Sequence, residues 1–135
     1  MAIEDKDVFD AKRLVQYPGF RREERESMRT LLSTQQLVDS FRHFYPQWIK
    51  YSYWNYCQRQ ENLGLRLDYF LVSRIIIPFA EEAAVHDEIE GSDHCPVSIQ
   101  FDLTGTSYNR RFQNKPAAQP TQPTQPEPDI FDYPE

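Results

Sequence analysis

The sequence predicts a single α/β domain followed by a tail that cannot form a core. Apolar residues recur with a helical period over residues 22–36, and later segments alternate apolar and polar residues with a period of two. From Tyr108 the pattern dissolves, and "KPAAQPTQPTQPEPDIFDYPE" is a Pro/Gln/Thr tract typical of disorder and polyproline II. Because 135 residues leave room for one domain, we assign residues 1–106 to the domain and 107–135 to the tail.

The amino-terminal third is predicted to be a connector followed by a helix. Residues 1–19 mix acids with isolated apolar positions and end in Tyr-Pro-Gly-Phe, a chain break before a helix. Strong helix formers fill residues 22–36. Met28, Leu31 and Leu32 share one face there, so we expect the helix to pack by that stripe.

The remaining elements are predicted to be mostly strands. A short helical turn, buried by its aromatic residues, should end at Pro46, and another turn is expected near Pro78. A further strand is expected over residues 83–89, although a short apolar run there also fits a helix. Three segments have strand-like alternation or composition: "YSYWNY", "RLDYFLVS" and "VSIQFDL".

The formal charge of −6 argues against a nucleic-acid partner, since phosphate binding normally requires clustered Lys and Arg. However, four acids and no base follow Pro116, so much of the negative charge lies in the tail. Basic residues cluster in "RREER" and between Arg59 and Arg66. The first of these runs is equally typical of a solvated helix face with i,i+4 ion pairs.

Targeting and redox signals are few. No apolar run approaches the roughly 20 residues that cross a bilayer, and the start lacks the pattern of a signal peptide. We therefore expect an intracellular protein without a membrane partner, nuclear in a eukaryote and cytoplasmic in a bacterium.

Cys57 and Cys95 are too far apart in sequence to support a disulfide framework or a zinc site.

Asp68 is the first candidate functional residue, because it is the only acid in the apolar segment "RLDYFL". A carboxylate in mid-strand needs a charged or hydrogen-bonding partner to offset its desolvation. Arg66, Arg74 and the histidines are the candidate partners. His94 stands out, since it follows a Gly-Ser-Asp turn and begins the strand "HCPVSIQFDL".

An Asp68–His94 pair would suit proton transfer. An aspartate that accepts from one imidazole nitrogen fixes the tautomer and leaves the other nitrogen to handle a proton. Asp93 would project differently and could offer oxygens to a hard cation such as Mg²⁺. The alternative is purely structural, with Asp93 capping the turn and His94 satisfied at the surface.

The motifs together resemble a known family. "RLDYFLVS" followed by "GSDHCPVSIQF" is similar to the carboxy-terminal signature of the exonuclease III class of apurinic/apyrimidinic (AP) endonucleases. The likeness extends to "YPGFRREERESMRTLL", "LVDSFRHFYP" and "YSYWNY", which cover nearly all of residues 2–104 in order. It implies the carboxy-terminal half of a DNase I-like, four-layer α/β sandwich with a mixed sheet and flanking helices.

The resemblance also implies roles for particular residues. His94 would orient or deprotonate the water that attacks the phosphorus 5′ to an abasic site, and Asp68 would hold it. Asp93 would lie near Mg²⁺ (or Mn²⁺). Tyr53, Leu65 and Leu67 would line the pocket for the flipped-out sugar. Abasic double-stranded DNA would be the partner, in base excision repair, with 3′–5′ exonuclease activity as a further option.

Two departures and one absence qualify this hypothesis. Leu65 stands where some family members have Trp, and Cys57 where some have a Met wedge. The family's amino-terminal half supplies a metal-binding Glu, a catalytic Tyr and an Asp-x-Asn pair, and no such Asp-x-Asn segment occurs here. We therefore expect little catalysis by this chain alone, and a separate amino-terminal half is a candidate partner.

Two alternatives remain open. A non-catalytic relative could use the same surface to bind DNA or a protein, and it would bind abasic duplex in EDTA without cleaving it. A phosphoinositide phosphatase or a poly(A) deadenylase of the same superfamily would prefer a different substrate in a side-by-side comparison.

Overall fold

Short strand pairs and two helices make up the part of the chain that the computed structural model describes, residues 1–55 and 57–102. None of the described helices is both long and apolar enough to cross a bilayer. The predicted boundary at residue 106 and the predicted tail lie outside the described residues. The elements, in chain order, are a 3₁₀ turn Asp5–Asp7, α1 Arg22–Thr34, β1 Leu37–Asp39, α2 Ser40–Phe44, β2 Tyr53–Trp54, β3 Gly64–Leu65, β4 Leu71–Ser73, a 3₁₀ turn Ile77–Phe79, β5 Ala80–Val85 and β6 Val97–Phe101.

The strands form three antiparallel pairs within the described residues: β1 with β4, β2 with β3, and β5 with β6. Helix α2 contacts both β1 and β5. The predicted α/β class with flanking helices is confirmed. The short turns predicted before Pro46 and near Pro78 are present as α2 and the second 3₁₀ turn.

Aromatic residues around α2 form the main core. Phe41 lies 5.2 Å from Tyr45 and 6.1 Å from Trp48, measured between ring centroids. This burial agrees with the aromatic turn expected from the sequence. The buried members of the cluster are Phe41, Tyr51, Trp54, Ala83, Val85 and Cys95.

The amino-terminal segment is part of the fold, so its prediction as a connector is wrong. Val8 forms a bridge to Leu65, and the amide of Phe9 donates to the carbonyl of Gly64. Ala2 and Val8 are buried in a second apolar cluster with Leu65. The segment pairs alongside β3, which its irregular apolar pattern did not reveal, because backbone pairing does not depend on side-chain periodicity.

Helix α1 is held by a capping interaction at its start, by Arg25 and by packing against β1. The Glu24 carboxylate accepts from the amides of Gly19 and Arg21 at 2.9 and 3.0 Å, a capping interaction. Arg25 donates to the Ile3 carbonyl and lies over the Phe20 ring. No α1 residue is fully buried, but Met28 and Leu32 of the predicted stripe are half-buried, whereas Leu31 is exposed.

Several predicted strands are shorter than their sequence patterns. Residues 66–70, which include Asp68, lie between β3 and β4 and belong to no strand. The strand expected over 83–89 begins earlier, at Ala80, and ends at Val85. Alternation of apolar and polar residues also fits an extended segment that pairs with nothing, which explains the overestimate.

A buried cluster of charges joins three separate segments. Arg66 and Asp7 have no exposed side-chain surface, and Asp39 is 8% exposed. Arg66 donates to Asp7 at 2.8 Å and to Asp39 at 2.6 Å, and Arg42 also donates to Asp7. Asp39 caps α2 by accepting from the Arg42 amide. The cluster therefore ties the amino terminus, the start of α2 and the segment after β3 to one another.

The protonation of Asp7 depends on this cluster. Burial alone would raise the pKa of Asp7, but the hydrogen bond and charge of Arg66, together with the charge of Arg42, hold it below its ordinary value of 3.8. Burial would likewise lower the pKa of Arg66, yet hydrogen bonds to Asp39 and Asp7 raise it. Each charge is thus retained because the others are present.

We predict that Arg66→Met lowers the free energy of unfolding by about 3–5 kcal/mol, since removing one partner leaves buried carboxylates without a counter-charge. Urea denaturation at neutral pH measures the change. The exposed Arg22 offers a matched control, and Arg22→Ala should change stability by less than about 0.5 kcal/mol. Equal, small effects of the two substitutions would contradict the role assigned to Arg66.

We also predict that stability falls in acid through Asp7. Because its folded-state pKa is depressed, its contribution is present above the ordinary value of 3.8 and is lost as the pH falls through the lower folded value. Urea midpoints should therefore be collected from about pH 6 to pH 2.5. Asp7→Asn should be less stable near pH 6 and should show a flatter acid dependence; an unchanged dependence would exclude Asp7 as its source.

Candidate active site

Strand β2 positions the site, because segments carrying the candidate residues flank it on both sides. On one side Tyr53 faces Leu65 of β3, and on the other it bridges His94. The amide of Cys95 donates to the Ser52 carbonyl at 2.9 Å, and the Ser52 amide donates to the Leu65 carbonyl at 3.0 Å. The segments leading to Asp68 and to His94 are thus joined through one short strand.

Gly64 permits the close approach of β3 to β2. A Cβ at this position would stand 2.5 Å from Nε1 of Trp54 and 2.7 Å from Cβ of Tyr51, closer than side-chain atoms approach one another. The absence of a side chain therefore lets the Trp54 ring lie against β3. Trp54 in turn donates its backbone amide to the Asp93 carbonyl at 2.9 Å, which fixes the chain just before His94.

Asp68 and His94 are in direct contact, as the sequence predicts. The Asp68 Oδ2 atom lies 2.8 Å from His94 Nδ1, within hydrogen-bonding distance. Their side chains are 35% and 44% exposed, so the pair faces solvent. When Nδ1 carries the proton, Nε2 on the opposite side of the ring is the nitrogen that can accept one.

Two expectations about Asp68 are corrected by its surroundings. It is partly exposed and lies outside any strand, so it does not bear the desolvation cost expected of a buried mid-strand acid. Arg66, one of the three kinds of candidate partner, binds Asp7 and Asp39. Asp68 Oδ2 accepts from Ser52 Oγ at 2.7 Å, a partner that the sequence did not suggest.

The three residues predicted to line a sugar pocket lie together. Tyr53 and Leu67 pack against the apolar cluster that contains Leu65. The Tyr53 ring is 4.9 Å from the His94 ring, measured between centroids. Leu65 is only 4% exposed, so it supports this surface from beneath while Tyr53 and Leu67 remain partly accessible.

A groove of about 590 Å³ opens beside Leu65. Its walls are apolar, and Arg13, Asp10 and Asn55 place polar groups around them. Tyr53 and Leu67 do not line it, so it is separate from the surface that they form. The lining residues are Phe9, Asp10, Arg13, Leu14, Tyr17, Asn55, Gln58, Leu63 and Leu65.

Asp93 is exposed and its carboxylate accepts from Ser92 Oγ at 3.2 Å. Its oxygens are of the type that Mg²⁺ prefers. Among residues 1–55 and 57–102, however, no three His, Cys, Asp or Glu side chains are grouped so as to hold an ion. Asp93 can therefore contribute a ligand, but the described residues do not complete a magnesium site.

Comparison with known proteins finds relatives among DNA-repair nucleases. No family model matches the chain. The chain is 38% identical over 106 residues to an exodeoxyribonuclease of Bacillus subtilis, covering 76% of this chain and 42% of that protein. It is 40% identical over 100 residues to Recombination repair protein 1 of Drosophila melanogaster, covering 72% of this chain and 15% of that protein.

Solved structures that resemble this chain also include DNA-repair nucleases. An AP endonuclease from Leishmania major matches with a TM-score of 0.70 and 37% identity, covering 73% of this chain and 32% of that one. The chain is homologous to the exonuclease III-type AP endonucleases. The 3′ phosphatase NExo from Neisseria, bound to a product DNA hairpin, matches with a TM-score of 0.67 and 30% identity, covering 76% of this chain and 42% of that one.

The partial coverage qualifies this relationship. This chain spans less than half the length of each of these relatives. The coverage fits the predicted likeness to the carboxy-terminal part of AP endonucleases. The DNase I-like fold expected from the resemblance is likewise supported by the solved neighbours.

Arg59 is a site-supporting residue that the sequence analysis missed. It donates to the carbonyls of Asp87 and Ser92 at 3.0 and 2.9 Å, and to that of Ile89. Its guanidinium also lies 4.6 Å from the centre of the Trp54 ring. Arg59 thus holds the loop over residues 87–92, which leads to Asp93. No sequence signal marks it, because the carbonyls that it binds belong to residues of any type.

We predict that Arg59→Ala loosens this loop, since charge-assisted hydrogen bonds contribute about 1.5–3 kcal/mol each. Amide hydrogen exchange over residues 87–92 should speed up by at least about 10-fold, corresponding to a local opening that is easier by roughly 1.4 kcal/mol. Arg74→Ala, at another exposed arginine, is the control. If exchange in the loop were the same in both variants, Arg59 would not be what holds it.

Proposed function

We propose that this chain supplies the histidine–aspartate pair of a DNA-repair phosphodiesterase that hydrolyses the phosphodiester 5′ to an abasic site. The observation that carries the proposal is the 2.8 Å contact between Asp68 Oδ2 and His94 Nδ1 on a half-exposed surface. Homology to AP endonucleases and exodeoxyribonucleases supports the substrate class. Because the chain spans less than half of these relatives, the complete reaction requires groups beyond the described residues.

In the proposed reaction, His94 handles the proton of the attacking water. Asp68 accepts from Nδ1 and so keeps Nε2 free of a proton and correctly oriented. Nε2 takes a proton from water as its oxygen bonds to phosphorus, and the bond from phosphorus to the leaving sugar oxygen breaks. The imidazolium that forms faces the Asp68 carboxylate, which stabilises its charge.

Substrate selection is assigned to the apolar surface next to this pair. The Tyr53 ring lies beside the His94 ring at a tilted angle, and Leu65 and Leu67 continue the same apolar cluster. A sugar without a base could enter between apolar walls that leave no room for a nucleobase, once the nucleotide has been extruded from the duplex. Abasic double-stranded DNA is the proposed partner.

A divalent metal is also part of the proposal. Asp93 would contribute one carboxylate to Mg²⁺ or Mn²⁺, next in sequence to His94. When bound, the ion would offset negative charge that develops on the phosphate. Because the described residues hold no complete metal site, further ligands must come from elsewhere, such as a separate amino-terminal half.

Processing of DNA 3′ ends is the second candidate function. Two structural neighbours from Neisseria are a 3′–5′ exonuclease and a 3′ phosphatase that was solved with a DNA hairpin product. The same water-activating pair would serve a terminal phosphate ester as well as an internal one. A non-catalytic DNA- or protein-binding relative and the phosphatase or deadenylase branch remain as alternatives.

We predict that the 135-residue chain alone shows little Mg²⁺-dependent incision of abasic duplex, and that adding the amino-terminal half of an AP endonuclease restores some. In that mixture His94→Ala should lower the rate by about 10²–10⁴-fold, and Asp68→Ala should reduce it strongly. His43→Ala is the matched control, because His43 is exposed and makes an edge-to-face contact with Phe44, away from the pair. Gel assays of a labelled duplex measure incision.

A parallel substrate panel separates the alternatives. Recessed 3′ ends, 3′-phosphate ends, poly(A) and a phosphoinositide should be compared with abasic duplex in the same mixture. Binding of abasic duplex in EDTA without any cleavage would favour the non-catalytic relative. Vigorous incision by the isolated chain that His94→Ala leaves unchanged would place the site elsewhere and refute the assignment.

A further inference from the structure

We propose that Ser52 is a positioning residue, whose hydroxyl orients the Asp68 carboxylate toward His94. The residue is completely buried, at 0% exposure, directly beneath the partly exposed pair. Its hydrogen bonds go to Asp68 and to the backbone of Leu65, Leu67 and Cys95, and to no side chain of the substrate surface. A role for Ser52 in catalysis rests on the function proposed above. Its effect on the tautomer of His94 can be measured in a chain that has no enzymatic activity.

The hydrogen bonds that Ser52 Oγ accepts determine which group its hydroxyl proton is donated to. Two backbone amides, those of Leu67 and Asp68, donate to Oγ at 2.9 and 3.1 Å. They use the acceptor capacity of the oxygen, which has two lone pairs. The single hydroxyl proton therefore points to Asp68 Oδ2, 2.7 Å away.

Asp68 Oδ2 consequently accepts two hydrogen bonds, one from Ser52 and one from His94 Nδ1. The Ser52 donor is fixed, since its backbone is bonded to Leu65 through its amide and to Cys95 through its carbonyl. The carboxylate thus meets a rigid donor on its buried side and presents the same oxygen to the imidazole. This arrangement selects the tautomer with the proton on Nδ1.

Asp68 needs this support because its own segment lacks a strand ladder. Residues 66–70 pair with no neighbouring strand, so the orientation of the Asp68 side chain is not set by sheet geometry. Arg66 anchors the start of the segment in the buried ion cluster. Ser52 anchors its middle, through both amides and the carboxylate. Removing the hydroxyl would free the carboxylate and leave two amide donors without their acceptor.

The test is the tautomer of His94, read from the ¹⁵N shifts of its ring nitrogens in the full 135-residue chain. Spectra should be taken at an alkaline pH above which the ring ¹⁵N shifts no longer change, so that the neutral ring is observed. The signals of His94 are assigned by their disappearance in His94→Ala. We expect the parent chain to show one tautomer, protonated at Nδ1.

In Ser52→Ala the His94 shifts should move toward those of the exposed His43 in the same sample, which indicates loss of the fixed tautomer. Ser52→Thr retains the hydroxyl and should restore the parent pattern. Ser40→Ala is the matched control, since Ser40 is a buried serine at 1% exposure next to β1, and it should leave the His94 shifts unchanged.

A folded Ser52→Ala chain in which His94 keeps the single tautomer would overturn the proposal. The backbone ¹H–¹⁵N spectrum checks folding in the same sample. If Ser52→Ala fails to fold, Ser52→Cys, which keeps a weak donor of similar shape, takes its place and should give an intermediate shift. A Ser52→Cys chain whose His94 shifts equal those of the parent would likewise count against a role for the strong hydroxyl donor.

Incision activity provides a second test of the Ser52 proposal, independent of the tautomer measurement. In the complemented mixture, Ser52→Ala should lower kcat by about 10-fold with little change in KM, because the side chains of Tyr53, Leu65 and Leu67 that form the substrate surface are retained. If no incision can be restored at all while the tautomer still depends on Ser52, the proposed function fails and the positioning role stands. If incision is restored but the tautomer is independent of Ser52, the positioning role fails and the proposed function stands.

Discussion

The buried ion cluster around Arg66 is the interaction on which the rest of the described structure depends. Arg66 satisfies two carboxylates that come from segments far apart in sequence, Asp7 and Asp39. A charge in this position is tolerated only with its partners, because an uncompensated buried ion costs several kcal/mol. The cluster therefore favours one relative arrangement of the amino terminus, α2 and the segment after β3.

The candidate site is built outward from this constraint. Arg66 lies two residues before Asp68, and the intervening Leu67 offers its amide to Ser52. On the opposite flank, Arg59 holds the loop that precedes Asp93 through three carbonyls. Two arginines, one buried and one at the surface, thus fix the two chain segments that bring Asp68 and His94 together. The distance between Asp68 and His94 can be fixed even though both side chains are partly exposed, because the segments that carry them are anchored elsewhere in the fold.

How much of this could be predicted from the sequence depends on whether a feature is local. The short turns before Pro46 and near Pro78 follow from local residue preferences, and the contact between Asp68 and His94 was found through the unusual placement of an acid among apolar residues. The ion cluster was missed, because nothing in "IEDKDVF" distinguishes Asp7 from its acidic neighbours. Its burial is decided by Arg66, 59 residues away, which the sequence suggested only as part of a basic run and as a candidate partner of Asp68.

The error over Asp68 is informative about the site itself. The alternating pattern of "RLDYFLVS" predicts a strand, whereas residues 66–70 belong to no strand and bond to Asp7 and Ser40 only at the two ends of the segment. A paired strand would have satisfied the amides of Leu67 and Asp68 with carbonyl groups of a neighbour. Here the Ser52 hydroxyl accepts from both amides instead, and this leaves its proton for the carboxylate. The loss of regular strand structure at this point is therefore what allows one buried serine to connect the backbone to the proposed proton-handling pair.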